Sequence, residues 1–426
     1  MDSASEKPLL AVISQGCSAN FGDGEKIAQV FADEYHVVFG MSENNAQKPQ
    51  AFVLNVCTVK GNAGALKLLR EAMSTAPDAK IFITGCAPRD FKEEAAKITD
   101  KVIFTSLKEL RQEKEILSQG RNDKGDKSTL RESPLVGIVN IEEGCLDACA
   151  YCSTRLVKGR LHSNPAADII QQVKRLVSDG CVEIQLTGQD CGCYGFDTGT
   201  NLAELVQQIL TEVPGNYKMR LGMGNPRHML QYIAPLLECF KDERVYKFIH
   251  LPVQSGSDAI LKAMNRRHSV DDYVVLAEAF NKIPLFTLST DMIVGFPGET
   301  ERDFQETLEI LKKTRPTVCN ITRFVARPNT PAYNMPAAVP DVVKHLRSAA
   351  LAEAFQRIAT ENNARWVGQT ETVVIEKSGY RKGTYIARNA AYRPVAITSD
   401  RPLKPGERFT VTITDAEPFA LIGTVK

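Results

Sequence analysis

Three cysteines, Cys145, Cys149 and Cys152, stand in a C-x3-C-x2-C cluster just after the apolar, strand-like run 136–141. Three thiolates so close together hold three corners of a cubane iron–sulfur cluster, and no fourth cysteine follows within the next several residues. One iron would therefore stay open, as in catalytic rather than structural metal sites. The competing occupant is zinc, but zinc pairs usually read C-x2-C twice, and neither a second pair nor an H-x3-5-H follows here.

A chain of 426 residues exceeds what one core serves and predicts two or three domains. The longest early apolar run, residues 9–13, is too short for a membrane span or the core of a signal peptide. Eleven cysteines without an export signal point to a reducing compartment and to metal binding. A cytoplasmic protein with no membrane association is expected. The net charge of +1 argues neither for nor against nucleic acid, but its distribution is informative. Residues 1–117 carry 14 Lys and Arg against 16 Asp and Glu, whereas residues 365–426 carry 10 against 6. A small basic module appended to a near-neutral body is a nucleic-acid handle in outline.

Residues 1–117 form the first expected domain. Apolar runs at 9–14, 51–56, 80–84 and 102–105 read as strands, with amphipathic helices at 24–33 and 63–76 between them. Alternating β and α units imply a parallel sheet. Cys17, Cys57 and Cys86 each lie just past one of these strands, and the carboxyl ends of a parallel sheet line one crevice. Three thiols there would meet as a second metal site. Three unrelated core cysteines are the alternative, since free cysteine is often buried.

Residues 118–134, SQGRNDKGDKSTLRESP, read as a linker. Residues 135–364 offer six strands at 136–141, 182–187, 218–223, 245–253, 286–294 and 318–325, with helices such as 168–178, 202–213 and 302–314. That alternation predicts a partial (β/α)6 barrel with its functional residues at the strand carboxyl ends. A long helical pattern at 341–364 leads out of it. Residues 365–426 switch to five short strands with Gly and Pro turns, the pattern of a small antiparallel barrel. The overall class is α/β.

C-x3-C-x2-C is also the signature of the radical S-adenosylmethionine (SAM) enzymes, and Tyr151 occupies their usual aromatic position. Along essentially its whole length the chain resembles the radical-SAM tRNA methylthiotransferases. Gln15-Gly-Cys17-Ser-Ala-Asn20, Asn55-Val-Cys57-Thr58 and Gly85-Cys86-Ala87 are similar to that family's amino-terminal domain. Gly144-Cys145-Leu-Asp-Ala-Cys149, Leu251-Pro-Val-Gln-Ser-Gly-Ser-Asp258, Asp291-Met-Ile-Val-Gly-Phe-Pro-Gly-Glu-Thr300 and Arg327-Pro-Asn-Thr-Pro-Ala332 occur in the middle part. Together with Thr58-Val-Lys60 and Gly222-Met-Gly-Asn-Pro226 they look most like the archaeal and eukaryotic branch, which acts on N6-threonylcarbamoyladenosine at position 37 of tRNA. Two departures stand out: Asn329 where many members have glycine, and Gln189-Asp190-Cys191 in place of Glu-Asp-Thr.

The resemblance implies a flavodoxin-like first domain, a radical-SAM partial barrel and a carboxyl-terminal TRAM barrel that binds RNA. It implies two 4Fe–4S clusters, one on Cys145, Cys149 and Cys152 with SAM at its open iron, the other an auxiliary cluster on Cys17, Cys57 and Cys86. Such enzymes methylate a sulfur with one SAM and join the methylthio group to carbon 2 of the adenine through a radical made from a second. SAM contacts are expected at Tyr151, Gly188, Gln189, Gln254, Ser255, Gly295, Glu299 and Arg323. Phosphate contacts are expected at Lys377, Arg381, Lys382, Arg388 and Arg393, with Tyr380, Tyr385 and Tyr392 placed to stack on bases. The partners implied are the tRNA anticodon stem-loop and an electron donor such as a flavodoxin or ferredoxin. No histidine is assigned to metal, and Cys181, Cys191, Cys193, Cys239 and Cys319 are read as structural, although Cys191 and Cys193 fall near the expected mouth. The rival substrates within this chemistry are isopentenyladenosine tRNA and an aspartate of a ribosomal protein. The rival class is a non-catalytic iron–sulfur or zinc RNA-binding protein. Oligomeric state is not legible.

Overall fold

The parallel sheet expected in the first part is present, with strand order 2-1-3-4-5. The computed structural model describes residues 7–41, 48–58, 61–110, 112 and 130–425. Most of the expected linker, residues 118–129, and Val59 and Lys60 of the Thr58-Val-Lys60 motif lie outside the described residues. The chain folds into two compact units. One comprises the residues up to Pro134 with Ile138–Asn140 and Ser153–Gly159, and the other comprises the remainder.

In the first unit, β1 (Leu9–Ser14), β2 (His36–Phe39), β3 (Ala51–Cys57), β4 (Lys80–Cys86) and β5 (Val102–Phe104) run parallel. Their order is the flavodoxin-like order, produced when the chain winds to both sides of its starting strand. Strand alternation supplies both layers of core. Leu10, Val12, Ala51 and Val53 pack with Ile27, Ala28 and Phe31 of the helix Ser18–Phe31. Phe52, Leu54, Val56, Ile81 and Ile83 pack with Leu66, Leu69 and Ala72 of the helix Ala63–Thr75. The helix expected at 24–33 thus begins six residues earlier, because the Cys17 backbone in extended conformation starts it. Strand β2 was not expected, since its four residues are half-exposed and too few to show a pattern.

β6 (Val136–Asn140), whose last three residues group with the first unit, leads to a two-stranded pair of β7 (Glu142–Glu143) and β8 (His162–Ser163) in the second. Strands β9 (Glu183–Thr187) and β10 (Lys218–Leu221) join β6 in one sheet. Strands β11 (Phe248–His250), β12 (Thr287–Val294) and β13 (Val318–Arg323) form a second. The β10–β11 seam is closed by a parallel bridge from Met219 to Val245, with Tyr246 N donating to Met219 O at 2.9 Å. Six strands in sequence order therefore make one arc, an incomplete barrel rather than a closed ring. Amphipathic helices cover its outside: Ile169, Ile170, Val173 and Leu176 are the buried stripe of Ala166–Ser178. Two helices begin with reciprocal capping boxes, Ser269 with Asp272 and Thr300 with Asp303.

The 24-residue helix Asp341–Ala364 is held by a buried ion pair. Arg347 Nη1 donates to Glu299 Oε2 at 2.7 Å, and the two side chains are 8% and 0% exposed. The helix delivers the chain to β14 (Thr370–Ser378), β15 (Thr384–Arg388), β16 (Pro394–Thr398), β17 (Arg408–Ala416) and β18 (Leu421–Val425), which close as a barrel in the order 14-15-16-18-17. Val373, Ile375, Ala387, Val395, Ile397, Val411 and Ile413 fill its interior. No described helix is long and apolar enough to cross a membrane.

Removing one partner of a buried pair strands the other charge. Arg347→Met is expected to cost about 3–5 kcal/mol, read as a lower denaturant midpoint, and adding Glu299→Gln to it should recover part of that loss.

Candidate functional site

In the first unit, β3 and β4 pair in register until Cys57 stands directly opposite Cys86. Cys17 enters from the third strand end, as the residue that precedes the helix Ser18–Phe31. The turn carrying it presses on Cys57: Gly16 has φ +100°, and a Cβ there would lie 2.6 Å from Cys57 Sγ. Only glycine supplies both that conformation and that approach. Two buried asparagines lock the turn. Asn20 Nδ2 donates to the carbonyls of Gln15 (2.7 Å) and Asn55 (2.9 Å), and Asn55 Nδ2 donates to Ser14 Oγ (3.3 Å). Thr58 Oγ1 donates to the Cys86 carbonyl at 2.8 Å. None of the three forms a disulfide, and they are graded from exposed Cys17 through half-buried Cys57 to buried Cys86. Burial pushes the Cys86 thiol up to about 12, the neighbouring Cys57 and Cys17 add to this, and Lys158 opposes it. Three clustered thiols, the innermost held protonated by burial, are the donor set a soft metal group requires.

In the second unit the loop of Cys145, Cys149 and Cys152 is tied by its backbone. Gly144 N donates to Gln189 Oε1 (2.7 Å), Ala150 N to Met264 O (2.8 Å) and Ala332 N to Ala150 O (2.9 Å). Asn265 Nδ2 donates to Ala148 O at 2.7 Å. Beside the loop, Arg266 directs Nη1 to Cys149 Sγ at 3.7 Å and Nη2 to Pro252 O at 2.9 Å. Burial raises the Cys149 thiol and the Arg266 guanidinium counters it. Tyr151 packs edge-on against Phe296 with centroids 6.5 Å apart. The three thiols are half-buried and outside any disulfide, with a cation already aimed at one of them, so the donor set fits a cluster here as well.

The strand-end residues divide. A Cβ at Gly188 would lie 1.9 Å from Glu142 Oε1, and that oxygen accepts Asp190 N at 2.9 Å. Gln254 takes φ +74° and bridges β12, its N donating to Asp291 O and its carbonyl accepting Ile293 N, both at 2.8 Å. Arg323 is exposed at the end of β13. Two assignments need correction. Ser255 is fully buried, its Oγ engaged with Thr307 and Ser257 N. Glu299 is buried against Gly295 N (2.6 Å) and Arg347, so it braces the turn after β12 from inside rather than meeting a ligand. Gly295 offers backbone alone, with φ +75°. Asn329, where many members have glycine, adopts φ +64°, a left-handed conformation that asparagine tolerates.

The basic residues of the terminal barrel divide too. Lys377, Arg381 and Lys382 are exposed around the fully exposed Tyr380. Arg388 and Arg393, also expected at phosphates, have protein partners instead of open solvent. Arg388 makes two bonds to Glu376 (2.8 and 2.9 Å) and lies 4.4 Å over the Tyr392 ring, while Arg393 is 3% exposed and donates to Asn363 Oδ1 at 2.8 Å. Tyr392 packs against Tyr246 and Phe248, and Tyr385 lies in the barrel core. Tyr392 thereby fastens the barrel to β9–β11, and Arg393 fastens it to the long helix. Arg266 and Glu142 were missed, because nothing in their local sequence marks them.

Residues 139–311 match the Radical SAM superfamily, residues 364–426 the TRAM domain, and residues 10–105 the Uncharacterized protein family UPF0004. A probable threonylcarbamoyladenosine tRNA methylthiotransferase of Archaeoglobus fulgidus is 34% identical over 97% of this chain and 98% of its own. The chain belongs to the threonylcarbamoyladenosine tRNA methylthiotransferase family. A Homo sapiens member is 32% identical over 94% of this chain and 71% of its own length. The radical SAM methyltransferase TsrM of Kitasatospora setae shares the fold, with TM-score 0.54 at 12% identity over 77% of each chain. For a family member of this kind the radical SAM match implies SAM and one 4Fe–4S cluster.

Burial raises Glu142 to about 8, and its Oε2 has no hydrogen-bond partner. Between about pH 4.5 and 8 the folded carboxyl keeps a proton that the unfolded chain has lost. Stability is therefore lost as pH rises through that window. Glu142→Gln should match the native protein near pH 5 and exceed it by about 2–4 kcal/mol above pH 8, measured by melting across pH.

Proposed function

We propose that this protein inserts a methylthio group at carbon 2 of N6-threonylcarbamoyladenosine-37 in tRNA. The observation that carries the reading is the pair of cysteine triads, each at the carboxyl edge of parallel strands, in a chain whose relatives bear that name. Carbon 2 of an adenine is unactivated, and no acid, base or nucleophile of the protein replaces its hydrogen with sulfur. When bound, two 4Fe–4S clusters and SAM supply the radical and the sulfur.

The chain's own residues hold and orient. Cys145, Cys149 and Cys152 would ligate the first cluster, and Arg266, donating to Cys149 Sγ, would stabilise its thiolate. Gln189 fixes the loop through Gly144, and Gly188 lets the strand end lie against Glu142. Cys17, Cys57 and Cys86 would ligate the second cluster. Tyr151 and Gln254 would shape the SAM pocket, Gly295 would approach it with its backbone, and Arg323 would meet SAM or a tRNA phosphate. Lys377, Arg381 and Lys382 would take phosphates of the anticodon stem-loop, with Tyr380 able to stack on a base. A flavodoxin or ferredoxin would supply electrons, and a reducing cytoplasm suits the thiols.

The test is nucleoside mass spectrometry of threonylcarbamoyladenosine-bearing tRNA, after anaerobic incubation with reconstituted protein, SAM and dithionite. The 2-methylthio derivative is expected. Release of 5′-deoxyadenosine with an unchanged nucleoside would leave the radical chemistry standing and overturn the substrate; absence of both would overturn the enzyme. In parallel, Cys86→Ala should bind about four iron atoms where the native chain binds about eight, and should still cleave SAM while forming no methylthio product.

A further inference from the structure

Cys193 and His228, neither assigned to metal from the sequence, come together with Asp190 behind the strand ends of the second unit. One ligand atom from each, a carboxylate oxygen, a sulfur and a ring nitrogen, lies within 4.8 Å of the others. All three residues are interior, at 3%, 0% and 1% exposure. We propose that Asp190, Cys193 and His228 form a site for a single divalent transition-metal ion of the zinc class, separate from both cysteine triads.

The fold builds this corner deliberately. Asp190 and Cys193 bracket the turn that follows β9, and His228 sits in the short helix Pro226–Met229 that follows β10. Asp190 Oδ1 accepts Gly192 N (3.1 Å) and Asn225 N (2.8 Å), which fixes the carboxylate and leaves Oδ2 facing His228 Nε2 at 3.6 Å. Cys191 N donates to Met223 O (2.8 Å) and Tyr232 Oη to Gly192 O (2.6 Å), so both turns are pinned by other groups. Phe196 meets the His228 ring edge-on at 5.4 Å.

The imidazole is the second, independent observation. Neither ring nitrogen of His228 makes a hydrogen bond, although the residue is 1% exposed. Nε2 lies 3.2 Å from Asp147 Oδ2, and Asp147 is already engaged by Asn225 Nδ2 and Arg227 Nη1. An unsatisfied buried polar group costs about 1–3 kcal/mol. A bound cation would satisfy it.

The ligand set selects the ion. One thiolate, one imidazole and one carboxylate suit zinc, with cobalt or ferrous iron as near substitutes, and do not suit magnesium or calcium. Zinc–ligand bonds of about 2.0–2.3 Å would draw the three atoms slightly closer than they stand. On binding, the Cys193 S–H bond is replaced by a sulfur–metal bond and the proton leaves to buffer, with no electron transferred. The ion would cross-link the turns after β9 and β10 at the barrel's edge. Cys193 also contacts the Cys145 thiol, so the test must separate a distinct ion from an extra ligand to the iron cluster.

The full-length protein, loaded with iron and sulfide at both triads and washed with chelator, is titrated anaerobically with zinc chloride. The metal content is then measured, and the zinc X-ray absorption edge recorded. One zinc per chain is expected at undiminished iron content, with one sulfur neighbour and the remainder nitrogen or oxygen. Cys193→Ser should lose the sulfur neighbour, and His228→Gln should weaken zinc binding at least about tenfold. Either variant that retains native iron content serves, so a folding defect in one does not spoil the result. No stoichiometric zinc at full iron load would overturn the proposal. So would zinc with three sulfur neighbours, which would place it in a triad. A loss of iron in Cys193→Ser without any zinc in the native protein would assign Cys193 to the cluster instead.

Discussion

Parallel strands finish on one edge, and the position of every thiol discussed above follows from that constraint. Residues 17, 57 and 86 are far apart in the chain, yet β3–β4 register sets Cys57 opposite Cys86, and the return of β1 beside β3 brings the Gln15–Cys17 turn to the same place. No disulfide does this work. The ladder alone spaces neighbouring strands at about 4.8 Å, the scale on which one polynuclear group touches residues from several strands. The second unit repeats the device, with Gly188, Asp190 and Gln254 all placed where strands of the arc end.

A loop that must present thiols cannot be fixed by apolar packing, because its side chains face outward. In both units the fixing is polar and reaches the backbone from within. Asn20 and Asn55 grip carbonyls around the first triad; around the second, Asn265 and Arg266 grip carbonyls and Gln189 accepts the Gly144 N–H. Glu299 serves the turn after β12 in the same way, with Arg347 neutralising it from the long helix. Each such group gives up solvation and regains it through oriented donors, which makes the loop conformation specific rather than merely compact.

This division explains what was legible in the sequence. Apolar runs of strand length marked four strands of the first sheet and all six of the arc, because each buries side chains that report its period. β2 is half-exposed and gave no such report. Some strands end earlier than expected, β10 at Leu221 rather than Met223 and β11 at His250 rather than Val253, and the direction of a side chain beyond a strand depends on the turn. Ser255 and Glu299 therefore point inward although their positions suggested the mouth. His228 and Cys193 meet through two turns whose geometry no local spacing encodes.

The terminal barrel shows the same limit for charge. An excess of Lys and Arg over residues 365–426 is a sum, whereas a polyanion responds to charges left in solvent. Arg388 is neutralised by Glu376 and shielded by Tyr392 within the barrel, and Arg393 is withdrawn from solvent against Asn363 of the long helix. Burial even lowers Arg393 to about 10, with Arg388 adding to the effect, so its cation is costly where it sits. The outward-facing basic character then concentrates on the turn between β14 and β15, where Lys377, Arg381 and Lys382 surround a tyrosine with no packing of its own. Arg401 and Lys404 are exposed as well, so the solvent-facing cations of the barrel are not confined to that hairpin.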